Sequence, residues 1–106
     1  MPYVEIPQLK EKEVVPGFRG KFLHTENMTV VYWTVTAGSA LPEHKHPHEQ
    51  VASLVSGEME FTLDGETRKI TPDTAVAIPS NVLHSGKALT DCVIIDIFYP
   101  VREDYK

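Results

Sequence analysis

The 106 residues carry ten Lys and Arg against fifteen Asp and Glu, a formal net charge of −5, and 42% are apolar. That length holds one domain around one core, and the scattered basic residues exclude a phosphate-binding nucleic-acid surface. No apolar run approaches the ~20 residues that span a bilayer.

Met1-Pro2-Tyr3-Val4-Glu5 has neither the basic stretch nor the apolar stretch of a secretion signal. The single Cys92 is unlike the disulfide-stapled pattern of small secreted domains. A cytoplasmic protein with no membrane and no nucleic-acid partner is expected. An acidic surface repels anions at long range, so any anion site must bring its own local positive charge.

In chain order, residues 1–15 read as an N-terminal arm, in which Tyr3–Ile6 or Val14-Val15 could pair with a second copy. Eight Pro and six Gly then cut the chain into short pieces. Strands are predicted at Lys21–His24, Met28–Thr36, Gln50–Val55, Glu58–Leu63, Glu66–Ile70, Ala75–Ile78, His84–Ala88 and Cys92–Tyr99. Val31, Trp33 and Val35 alternate with Val30, Tyr32 and Thr34, while Met59, Phe61 and Leu63 alternate with Glu58, Glu60 and Thr62. Asp64-Gly65 between two such runs predicts a type I′ hairpin. No amphipathic helix and no repeat are visible. The pattern predicts an all-β sandwich or barrel, whose exposed edges call for closure or a homodimer.

The stretch Gly38-Ser39-Ala40-Leu41-Pro42-Glu43-His44-Lys45-His46-Pro47-His48-Glu49-Gln50 carries the chemistry. If it is extended, His44, His46 and Gln50 share one face, and His84, beyond the turn Pro79-Ser80-Asn81, can join them from a neighbouring strand. Imidazoles so placed converge on one ion at ~2.0–2.1 Å. A His-rich turn flanked by Glu43 and Lys45 is equally what a solvated loop looks like, and His48 reads as solvated or as a neighbour of the ligands.

Gly38-x5-His44-x-His46-x3-Gln50-x6-Gly57 resembles the first motif of the cupin superfamily, and Asp73-x5-Pro79-x-Asn81-x2-His84 resembles the second. The resemblance implies a double-stranded β-helix (a jelly-roll barrel) over residues 16–106. It also implies one divalent transition metal, Ni, Zn, Fe, Mn, Co or Cu, held by His44, His46, Gln50 and His84. Gln50 stands where many cupins have Glu. An amide leaves the full 2+ charge of the ion uncompensated, so the site should attract an anionic oxygen. Asn81 replaces a turn glycine and tolerates the left-handed conformation.

In the last strand, Asp96 interrupts an otherwise apolar run, and Phe98 shares its face. A carboxylate between Ile95 and Ile97 is costly to bury unless it has a partner. Read alone, Asp96 is either a hydrogen-bonded acid at a barrel mouth or a functional group, Phe98 is core, Arg102 is surface, and Cys92 is a small buried hydrophobe. Read together and near a cationic metal, Asp96, Phe98 and Arg102 make a site suited to a small carboxylate sugar. Arg102 would clamp a carboxylate and Asp96 would move a proton.

His44-Lys45-His46-Pro47-His48-Glu49-Gln50 and Asp96-x-Phe98-x-Pro100-x-Arg102-Glu103-Asp104-Tyr105 are similar to the pectin-degradation (KdgF) cupins. That resemblance implies opening of unsaturated uronic acid monomers to the linear keto acid, with Asp96, Phe98 and Arg102 in the active site. Two other functions fit the same ligand set: a cupin-type oxygenase, which would consume O₂, and a non-catalytic binding or sensor cupin, which would tolerate Asp96→Asn.

Overall fold

The computed structural model describes residues 3–106 and contains ten strands and two 3₁₀ turns, Ile6–Gln8 and Glu103–Tyr105. The strands are β1 (Glu11–Val15), β2 (Phe18–His24), β3 (Thr29–Val35), β4 (Ala40–His44) and β5 (Glu49–Ser56). After them come β6 (Met59–Leu63), β7 (Glu66–Ile70), β8 (Ala75–Ile78), β9 (His84–Ala88) and β10 (Cys92–Tyr99). Every pairing is antiparallel, in a six-stranded sheet of order β1-β2-β3-β10-β5-β8 and a four-stranded sheet of order β4-β9-β6-β7. This is the all-β, double-stranded β-helical architecture expected from the sequence.

The alternation read from the residues is the alternation of burial. Thr29, Val31, Trp33 and Val35 of β3 point inward, as do Ala52 and Leu54 of β5 and Met59 and Phe61 of β6. On β10 the inward set is Cys92, Ile94, Asp96 and Phe98. The two inner faces meet in one core, where burying each large apolar side chain contributes roughly 1.5–3 kcal/mol. Asp64 and Gly65 sit at φ 48° and 82°, the left-handed pair of a type I′ turn, between Leu63 and its partner Glu66.

Two strands lack the sequence signature. β1 (Glu-Lys-Glu-Val-Val) shows no apolar alternation, because it lies at a sheet edge with four of its five residues exposed. It falls within the predicted arm, yet it pairs with β2 of the same chain and leaves its other side open. Residues 1 and 2 of that arm lie outside the described residues. β4 carries Pro42 and buries no residue fully; its pairing with β9 makes it a strand. Pro is tolerated there because β4 is an edge.

Gly57, between β5 and β6, is fixed by sterics. Its φ is +96°, and a Cβ would collide with the Asp91 carbonyl oxygen and come within 2.8 Å of Cys92 Sγ. Gly38 has φ +85° but open space around it. Gly57→Ala should therefore cost about 2–4 kcal/mol, strain plus clash, and Gly38→Ala about 1 kcal/mol, strain alone. Urea midpoints of the two variants check this, and equal losses would contradict it.

Candidate metal centre

His44 ends β4 and lies directly across from His84, the first residue of β9. Gln50 is the second residue of β5, opposite Phe98 of β10 and Ile78 of β8. His46 stands between them in the bend that carries the chain from the smaller sheet to the larger. The sequence places His44, His46 and Gln50 on one continuous extended face; instead the strand breaks at residues 45–48, where Pro47 offers no N–H to a ladder. The groups converge because the chain turns a corner. That corner is tied by the Asn81 N–H, which donates to the His46 carbonyl at 2.8 Å, with Asn81 in the left-handed conformation at φ 62°.

The three imidazoles present ring nitrogens all within 4.8 Å of one another. Each contacts a backbone carbonyl through Nδ1: His44 with Pro42 at 2.8 Å, His46 with His48 at 3.0 Å and His84 with Val82 at 2.9 Å. A carbonyl oxygen only accepts, so each Nδ1 carries a proton, and in the neutral ring the lone pair is left on Nε2. Fixing the tautomer through the far nitrogen is how proteins aim imidazoles at a metal.

Two further contacts test whether an ion fits. His84 Nε2 is buried without a hydrogen-bond partner. His46 Nε2 lies 3.0 Å from Gln50 Oε1. Burial, then the positive Arg102 and the neighbouring His84, pushes the His46 pKa down to about 4, so at neutral pH its Nε2 bears no proton. Two lone pairs thus face each other at van der Waals distance or less, which a cation between them resolves. Burial lowers the His84 pKa as well. A donor set of imidazole nitrogens and one amide oxygen suits a divalent transition ion.

Asp96, Phe98 and Arg102 converge on the same end of the barrel and line one cavity with His44, Gln50 and Tyr105. The Trp33 indole N–H donates to Asp96 Oδ2 at 2.9 Å, while Oδ1 is buried with no partner. Burial raises the Asp96 pKa to about 6, with the Gln50 amide, the Trp33 indole and Arg102 all pulling the other way. The Phe98 ring packs edge-on against His46, at 5.6 Å and 70°.

Arg102, a surface residue when read alone, is buried. Its backbone N–H donates to Thr29 Oγ1 at 2.8 Å, and its guanidinium lies 4.7 Å from the Phe98 centroid and 4.0 Å from that of Tyr105. Nε and Nη2 donate to the two carboxylate oxygens of Asp104 at 3.0 and 2.8 Å. Trp33 carries no site signal in the sequence, and Asp104 and Tyr105 enter there only as part of the stretch that resembles the KdgF cupins. The Trp33–Asp96 bond joins residues 63 apart, and nothing local announces it. His48 is half-buried and supplies the carbonyl that orients His46. Cys92 is buried, its thiol near the Thr90 and Glu58 carbonyls at 3.3 and 3.4 Å, as a small core residue would be.

Residues 31–98 match a family described as the cupin domain. The pectin degradation protein KdgF of Dickeya dadantii is 28% identical over 97 residues, 89% of this chain and 88% of that protein. The structure of KdgF from Halomonas sp. superposes with a TM-score of 0.88 at 31% identity, covering 94% of each chain. An RmlC-like cupin from Shewanella frigidimarina gives a TM-score of 0.93 at 25% identity over 100% of this chain and 96% of that one. The matched span takes in both histidine stretches and the acid of the last strand, and this chain belongs to the cupin family, where it resembles the KdgF proteins.

Proposed function

We propose that this protein opens the ring of 4,5-unsaturated uronic acid monomers, using a divalent metal held by His44, His46, Gln50 and His84. Asp96 carries the reading. An acid inside a barrel core is expensive unless it is used or fully paired, and this one keeps one oxygen without a hydrogen-bond partner in the cavity that His44 and Gln50 also line. The likeness to the Dickeya and Halomonas KdgF proteins supports the substrate class.

A bound ion would supply Lewis acidity and a template for the substrate's oxygens. The chain supplies the rest. Arg102 binds the uronate carboxylate, and Phe98 forms a dry wall that excludes water from the sugar face. Asp96 Oδ1 exchanges the proton, because Oδ2 is taken by the indole N–H. Ring opening removes the proton of the anomeric hydroxyl, breaks the bond from the anomeric carbon to the ring oxygen, and leaves an enol. Returning a proton to carbon then gives the keto acid. Atoms and electrons balance with no oxidant, so the chemistry does not require a redox metal.

The purified protein should carry close to one metal ion per chain, and His44→Ala and His84→Ala should each strip it. Elemental analysis measures this, and full loading of both variants would move the ion elsewhere. Protons compete with metal for imidazole, so acid releases the ion. Because the His46 pKa is held near 4 and that of His84 is lowered too, release should come below the ordinary histidine range of ~6.5. Half-loss of the ion above pH 6.5 in stepped dialysis would contradict this.

Asp96→Asn should leave metal content and folding intact yet slow ring opening by roughly 10²–10⁴. Arg102→Ala should raise KM more than it lowers kcat. The decay of the unsaturated uronate's ultraviolet absorbance, corrected for spontaneous opening, reads both. A wild-type rate no faster than buffer would end the proposal, and an Asp96→Asn variant at full speed would remove Asp96 from the mechanism.

A further inference from the structure

The guanidinium that would bind a substrate carboxylate already holds one. Asp104 takes two of the five N–H donors of Arg102, Nε and Nη2, in the side-on bidentate geometry that a carboxylate ligand also uses. The pair is asymmetric: the Arg102 side chain is 8% exposed and that of Asp104 59%. Released, Asp104 returns to water at little cost, whereas Arg102 without a partner would be a half-desolvated cation.

Asp104 is not needed to keep Arg102 in place. The Thr29 hydroxyl holds its backbone, and Phe98 and Tyr105 hold its guanidinium. Tyr105 is itself packed edge-on against Phe22 at 5.0 Å and Trp33 at 6.5 Å, and its carbonyl accepts from Lys12 Nζ at 3.2 Å. The positioning is complete without the carboxylate, so what Asp104 does is fill the fork and cancel the charge.

We infer that Asp104 is a specificity-determining residue, an internal carboxylate that occupies the Arg102 fork until a uronate carboxylate displaces it. The inference rests on the reading of Arg102 as the carboxylate-binding group. A second carboxylate beside Asp104 would crowd two anions around one cation, so binding proceeds by exchange. An anionic ligand replaces the pair it breaks. A neutral sugar cannot, and meets an Nε–Nη2 edge that is already occupied.

The test is calorimetric titration of the metal-loaded protein with D-galacturonate, which lacks the double bond and is not turned over, and with D-galactose. Asp104→Asn, nearly isosteric, should bind galacturonate roughly ten-fold tighter than wild type, the scale of one charge-assisted pair removed from competition. Galactose binding should change by less than about two-fold, there being no charge to exchange. Glu103→Gln is the control. Its carboxylate is exposed and contacts Lys106, and removing it should leave galacturonate affinity as it was.

Unchanged or weaker galacturonate binding by Asp104→Asn overturns the inference. Equal tightening by Glu103→Gln does so too, since the effect would then be that of net charge. Where the wild type turns over unsaturated uronate and Asp104→Asn binds no tighter, only the role of Asp104 is lost. Where the wild type neither binds galacturonate nor accelerates ring opening, the uronate reading falls with it.

Discussion

Three Nδ1–H bonds to backbone carbonyls two residues away set the character of the barrel's working end. Each removes the choice of tautomer, and each aims a bare Nε2 inward. The carbonyls belong to Pro42, His48 and Val82, so the hydrogen bonds that orient the rings come from main chain. The arrangement puts the burden of satisfying the remaining nitrogens on whatever enters the cluster. The corner at residues 45–48 and the turn at Asn81 exist in forms that serve these bonds.

A gradient of charge follows from the same geometry. Burial, helped by the nearby guanidinium, favours neutral His46 and His84, while burial holds Asp96, in the cavity that His44 and Gln50 also line, close to its titration point. Gln50 sits at the junction. Its oxygen faces His46, and its amide lies toward Asp96 and favours the charged acid. A glutamate at this position would set one carboxylate against another, raising the cost of ionising Asp96. The amide lets one side chain face a cation on one side and an anion on the other.

Much of the fold was legible because burial in a barrel imposes a period of two, read in β3 and β6, where Val31, Trp33, Val35, Met59 and Phe61 are the buried set; β10 is apolar on both faces and was legible only as a strand-length apolar run. β1 and β4 were hidden for the converse reason: an edge strand with no buried face leaves no hydrophobic trace, and Pro42 argues against the strand it occupies. The histidines were legible as a set through their spacing, but that spacing points to one straight face, whereas their convergence depends on a corner. Arg102 shows the limit of local reading. Its neighbours Glu103 and Asp104 suggest a solvated segment, and only the folding of that segment onto Thr29, Phe98 and Trp33 buries it. Asp96 was visible as an anomaly, its indole partner was not.

The indole that holds Asp96 belongs to the sole tryptophan of the chain. Its N–H is committed to the candidate acid, and its ring stands edge-on to Phe18, Phe22 and Tyr105. Excited at the red edge of the protein absorption band, where the four tyrosines are silent, this one chromophore reports on the charge of a single carboxylate. The barrel thus carries an intrinsic fluorescent reporter at the point where a ligand, an ion or a proton would change the local field.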